Sequence, residues 1–171
     1  METLSRRFGR VLDGMLLAAG LLLLIMALMT GADVLLRNIG AGGIPPSNEF
    51  SEDCLYLITL LTAPGLLRMG QHIRIDIVLR VLPARAGWLL EWLGDTIGIV
   101  CCLYFVWYGV RAAGASYLSG AISMKTLIMP EWWLLAPMPV AFALLTVEFV
   151  FRMWRLALAE RRPREDAVSA S

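Results

Sequence analysis

Four long apolar stretches, at residues 11–36, 50–67, 88–118 and 131–151, fill most of this 171-residue chain, and only short polar joints separate them. A bilayer core is about 30 Å thick, and a spanning helix needs roughly 20 apolar residues rising about 1.5 Å each. The pattern predicts an all-α membrane protein with four transmembrane helices, near 12–36, 50–68, 90–117 and 131–152, in one transmembrane domain over 1–159. Hydrophobic residues make up 58% and charged residues 17%, which few water-soluble folds tolerate. Residues 160–171 carry no apolar pattern and read as a disordered cytoplasmic tail.

Ser5-Arg6-Arg7-Phe8 is similar to a twin-arginine signal. The apolar run that follows is 26 residues long, however, against about 7–15 for a signal core. It ends in Asp33 and Arg37 rather than at a small-residue cleavage site, so it reads as an uncleaved first span.

Basic residues sort between alternate joints. Twelve arginines fall in the N-terminal stretch, the joint between spans two and three, and the C-terminal stretch. The remaining two joints and their flanks hold only Arg37, Arg111 and Lys125. By the positive-inside rule both termini and the second joint face the cytoplasm, which requires an even number of spans. Trp88, Trp92, Trp132, Trp133 and Trp154 fall near the span borders, where an apolar ring with a wet N–H is favoured.

The first outer joint, rich in Gly and Pro, leads into Glu49, Glu52 and Asp53 at the start of span two. Acids there complement the positive end of a helix dipole. The alternative reading is an acidic cluster that docks a partner at the outer face. The second joint mixes apolar and charged residues over 72–82 and is too short to span. Residues 73–77 alternate as a strand would. A lone strand has no pairing partner, so the preferred reading is a short interfacial helix with His72, Asp76 and Arg80 on one stripe and Arg74 opposite. His72 reads as a residue hydrogen-bonded to Asp76. Gly94 and Gly98 form a GxxxG pair in span three, which can mark a close helix contact or arise by chance.

Chemistry is sparse. One histidine cannot supply paired haem ligands or a histidine-rich metal site. Cys54, Cys101 and Cys102 match no zinc or disulfide spacing and read as small apolar side chains. No cofactor, metal or enzymatic activity is expected, and a net charge of +1 speaks against a nucleic-acid partner. Asp33 with Arg37, and Glu148 with Arg152, stand at i, i+4 and can pair within their helices. Arg111 lies inside span three, where Glu52 or Asp53 could neutralise it. No ionisable residue marks the midplane as a transporter's substrate site would.

The chain resembles the small membrane subunit of tripartite ATP-independent periplasmic (TRAP) transporters, the DctQ-type small permease, over roughly residues 12–155. The resemblance rests on Asp33-Val34-Leu35-Leu36-Arg37, Asn48-Glu49-Phe50-Ser51-Glu52-Asp53, Gly70-Gln71-His72-Ile73-Arg74-Ile75-Asp76, and Lys125-Thr126-Leu127-Ile128-Met129-Pro130-Glu131-Trp132-Trp133 followed by Pro137-Met138-Pro139, in that order. Glu52-Asp53 stands where a Glu-Glu pair is usual, and no aromatic follows Arg37. The resemblance implies an accessory subunit in a bacterial inner membrane. Its partners would be a large multi-span subunit holding the substrate and sodium sites, and a soluble periplasmic solute-binding protein. The cargo implied is a carboxylate-bearing organic acid taken up by sodium symport, a secondary active process. In that frame Asp33, Arg37, Glu49, Glu52, Asp53, Lys125 and Glu131 are candidates for docking the binding protein. His72, Arg74, Asp76, Arg80, Gly94, Gly98 and Trp132 are candidates for ordering the cytoplasmic joint and packing the subunits. The competing reading is a self-sufficient four-span carrier acting as a homo-oligomer.

Overall fold

The computed structural model describes residues 2–40, 42–69, 84–124 and 128–158. The proposed interfacial segment 72–82, including His72, Arg74, Asp76 and Arg80, lies outside the described residues, as do Lys125 and the tail 160–171. The elements are α1 (Glu2–Asn38), α2 (Ser47–Arg68), α3 (Ala84–Ser119), β1 (Ile122–Met124), β2 (Ile128–Pro130), α4 (Trp132–Leu135) and α5 (Pro137–Leu158). Four segments are long and apolar enough to cross a membrane: Phe8–Asn38, Ser47–Arg68, Ala86–Ser119 and Trp132–Ala157. Two of the helices outrun their apolar stretches, α1 starting at Glu2 and α3 at Ala84. Polarity marks where the bilayer ends, but it does not break a helix as Gly and Pro do.

The helices form a row. α1 packs on α2, α2 on α5, and α5 on α3. The start of α1 and the end of α5 share one side, where the rings of Phe8 and Phe151 lie 5.8 Å apart. That is the terminal side, and its opposite is the hairpin side. Two antiparallel registers fix the row. Between α1 and α2, Thr30 Oγ1 lies 3.2 Å from Ser51 Oγ near the hairpin side. Nearer the terminal side, Leu16 seats over Gly65, where a Cβ would come within 2.5 Å of Leu16 Cδ1. The Pro64-Gly65 pair thus makes a notch for Leu16 while α2 runs unbroken through it.

Between α3 and α5, Asp95 faces Arg152, Gly98 faces Phe149, Phe105 stacks on Phe142 at 4.7 Å, and Gly109 faces Pro139. The steps are three, seven and four residues along α3 and three, seven and three along α5, the spacing of one face of each helix in knobs-into-holes packing. Leu67 of α2, Cys102 of α3 and Leu145 of α5 meet in the buried centre, flanked by Ala63, Phe142 and Phe149.

Four threonine hydroxyls in the spans are satisfied inside their own helices. Thr59, Thr62, Thr96 and Thr146 each donate to the carbonyl four residues earlier, at 2.8 Å. Hydrocarbon offers no partner for a free hydroxyl, so this local bond makes such residues tolerable in a span.

The all-α expectation needs one correction. β1 and β2 pair as an antiparallel hairpin, Ile122 opposite Pro130 and Met124 opposite Ile128. Gly120, at φ +63°, ends α3 with the left-handed turn that a side chain disfavours. The Glu131 N–H then donates to Ala121 O at 3.1 Å and closes the base of the hairpin. An isolated two-stranded hairpin is marginal in water. This one is tied at both ends to helices already packed together.

Candidate functional site

On the hairpin side, Asp33 and Arg37 form the ion pair that their spacing predicts, at 3.0 Å. Asp33 is buried and also accepts the N–H of Ile44, so it folds the first outer loop back onto the end of α1. Gly43 makes room for this. Its φ is +70°, and a Cβ there would come within 2.8 Å of Arg37 Cγ and 3.0 Å of Asp33 Oδ1. Gly43→Ala should therefore lower stability by about 1–2 kcal/mol from the left-handed backbone alone. Limited proteolysis should show faster cleavage between residues 39 and 46 in that variant, and an unchanged cleavage rate would remove Asp33 as the loop's anchor.

The other outer candidates sit around this loop and the hairpin. Glu49 occupies the first turn of α2, with Glu52 and Asp53 one turn further on, and all three have interaction partners. Glu131 accepts a hydrogen bond from the buried Ser116 Oγ at 3.3 Å, linking the hairpin base to α3. Trp132 packs edge-on against Tyr117 at 5.6 Å and against Trp133 at 5.9 Å. Arg111 is exposed on α3, a helix that packs chiefly on α5 rather than on α2, which carries Glu52 and Asp53.

On the terminal side the structure assembles a buried charge network. Glu148 of α5 is fully buried and receives Arg155 Nη2 at 2.6 Å and Arg68 Nη1 of α2 at 3.6 Å. Arg152 reaches across to Asp95 of α3 at 3.0 Å, and both side chains are more than nine-tenths buried. Helix spacing suggested Glu148 with Arg152, but Asp95 supplies the acid for Arg152, because the antiparallel register sets it opposite. The Arg68 side chain also lies over Gly9 of α1, where a Cβ would meet Nη2 at 2.9 Å. Trp88 Nε1 donates to Leu156 O at 3.4 Å and ties the ends of α3 and α5. The sequence pattern points to Glu148 and Arg152 but not to their partners on the other helices. The available signal was an acid and a base on different spans at matching distances from the terminal side.

The GxxxG pair divides. Gly98 lies under Phe149, where a Cβ would stand 2.6 Å from Cζ, whereas among the described residues Gly94 has no atom within 4 Å of the same position. Among the described residues no group of three or more His, Cys, Asp and Glu comes together to hold a metal. The arrangement consists of packing surfaces, ion pairs between helices, and a polar outer loop.

Comparison with curated proteins finds no match. A family model, that of the DctQ component of tripartite ATP-independent periplasmic transporters, matches residues 26–159. The match runs from the later part of α1 to the end of α5, across the outer loop, the α3–α5 register and the charge network. The chain therefore belongs to the DctQ family and is a small membrane component of a TRAP transporter.

Proposed function

We propose that this protein is the accessory subunit of a sodium-driven, binding-protein-dependent importer of a carboxylate-bearing organic solute in a bacterial inner membrane. It scaffolds the large transport subunit and helps the periplasmic binding protein to dock. Both termini face the cytoplasm. The orientation is supported by Arg68, Arg152 and Arg155 on the terminal side, against Arg37 and Arg111 towards the hairpin side.

The observation that carries the reading is where charge and apolar surface are placed. Glu148 with Arg68, and Asp95 with Arg152, join one helix to the next rather than lining the apolar cleft between α1 and α5. Meanwhile α3 exposes an apolar face along its length, at Leu93, Ile97, Val100, Leu103, Trp107 and Val110. Exposed apolar surface of this extent belongs against lipid or a partner.

Gentle-detergent purification with mass spectrometry should recover a stoichiometric, much larger multi-span partner. A homo-oligomer that transports alone in liposomes would establish the self-sufficient carrier instead. Reversing Glu49, Glu52 and Asp53 to lysine should slow binding-protein-dependent uptake about tenfold or more through lost electrostatic steering, with the partner still co-purifying. Uptake unchanged by the triple reversal would remove these acids from docking.

A further inference from the structure

Three aromatic residues within one turn or so of α3 carry polar atoms where lipid offers them nothing. Tyr104, Trp107 and Tyr108 are 57%, 65% and 51% exposed. Helix geometry puts all three on the side of α3 away from the buried Cys102. Among the described residues neither tyrosine hydroxyl nor the indole N–H has a hydrogen-bond partner.

Their depth is set by the ends of α3. Trp88 ties one end to α5, and Tyr117 lies edge-on to Trp132 at the other, so aromatic residues mark both interfaces. The helical rise from Trp88 to Tyr117 is about 43 Å, the thickness of a bilayer with its headgroups. Tyr104 then stands about 24 Å from one level and about 20 Å from the other, beyond the reach of its side chain on either side. Residues 96–110 hold no charge, and Tyr104 lies near the centre of that stretch. Tyr108 is one turn nearer the hairpin side. Side chains of a helix tilt towards its N-terminus, which for α3 is the terminal side, and the Tyr108 ring lies 4.4 Å from that of Tyr104. Its hydroxyl is thus turned back into the hydrocarbon.

The rings are also held in place. Phe105 stacks on Phe142 of α5 at 4.7 Å, Tyr104 stands edge-on to Phe105 at 5.9 Å, and Tyr108 packs on Tyr104. Donors fixed in this way bind with little further ordering. Acyl chains accept no hydrogen bonds, and an unpaired hydroxyl or N–H in hydrocarbon is strongly disfavoured. A covering helix that carries acceptors removes that penalty, and lipid does not.

We propose that this turn of α3 is covered, at the middle of the membrane, by a transmembrane helix of a different chain. That helix offers oxygen acceptors, from Ser, Thr, Asn or Gln side chains or from carbonyls freed at a kink. A second copy of the same face would bring the same donors, and its indole cannot accept. The helix is assigned to the large membrane subunit, and this assignment rests on the accessory role proposed above.

The test uses the full chain in its native membrane, with benzoylphenylalanine in place of Trp107 and illumination before extraction. The expected product is a cross-link to a larger multi-span polypeptide. Adducts to lipid alone, with the large subunit still co-purifying, would overturn the surface and leave the accessory role standing. A cross-link to a second copy would overturn the assignment to a different chain. If no large subunit co-purifies, the accessory role fails, whereas a cross-link to another membrane polypeptide would still uphold the surface. The second measurement is Tyr104→Phe with Tyr108→Phe, which keeps the rings and removes only the hydroxyls. Retention of the large subunit through a detergent wash should fall about tenfold, as expected for two lost hydrogen bonds. The thermal midpoint of the variant chain purified alone should not fall, because its hydroxyls bond to nothing among the described residues. Retention equal to wild type would overturn the hydrogen-bonding role of the tyrosines.

Discussion

Glu148→Ala should lower the stability of the detergent-solubilised protein by about 3 kcal/mol, read as a fall in its thermal unfolding midpoint. Removing one member of a buried ion pair generally costs about 3–5 kcal/mol, because the partner's charge is left uncompensated. The low end applies because the guanidinium of Arg155 is partly exposed, its side chain 44% accessible, and can turn to water. Arg68 has less freedom, since its side chain is only 24% accessible and lies over Gly9. Glu148→Gln keeps the volume and can still accept a hydrogen bond from Arg155, so it should cost less than alanine. Equal midpoints for wild type and Glu148→Ala would mean that the network does not hold α2 against α5.

The two glycines of the GxxxG pair should respond in opposite ways. Gly98→Ala pushes a methyl into the Phe149 ring, and overpacking of this kind costs about 1–3 kcal/mol. Phe149 has little room to yield, since it packs on the buried centre and sits 5.9 Å from the Arg152 guanidinium. Phe149→Leu in the same chain should recover part of the loss, and the double-mutant cycle should give a coupling of about 0.5–3 kcal/mol. Gly94→Ala meets nothing among the described residues and should raise the stability of the isolated subunit by up to about 1 kcal/mol through helix propensity. If Gly94 is where the large subunit packs, that same variant should lose its partner on co-purification. Retention of the partner would assign Gly94 to lipid.

The spans and the Asp33–Arg37 pair were legible in the sequence because each is a local pattern. Hydropathy over twenty residues and a four-residue spacing both follow from helix geometry alone. What connects one helix to another is not local. Nothing in the residues around Arg152 says that the fourth span lies antiparallel to the third with Asp95 opposite. The i, i+4 spacing therefore pointed to Glu148, and tertiary register overrode it. The hairpin was missed for another reason. Ile122–Met124 and Ile128–Pro130 are three-residue strands, too short for alternation to register, and only Gly120 and Pro130 bound them. Asp33 was legible as charged and paired. Its hold on Ile44 was not, because that depends on the left-handed turn at Gly43.

The helix order has a consequence for biogenesis. Among the described spans α5 is the last to be synthesised, yet it stands in the middle of the row, between α2 and α3. When α1 and α2 leave the ribosome they can pair at once, Leu16 into its notch. When α3 follows, the helix it mainly packs against is still missing, and Asp95 waits in the bilayer without Arg152. Only the final insertion brings Glu148 to Arg68 on one flank and Arg152 to Asp95 on the other. α5 acts as a keystone, and the interval before it arrives is when a nascent chain is most open to membrane proteases.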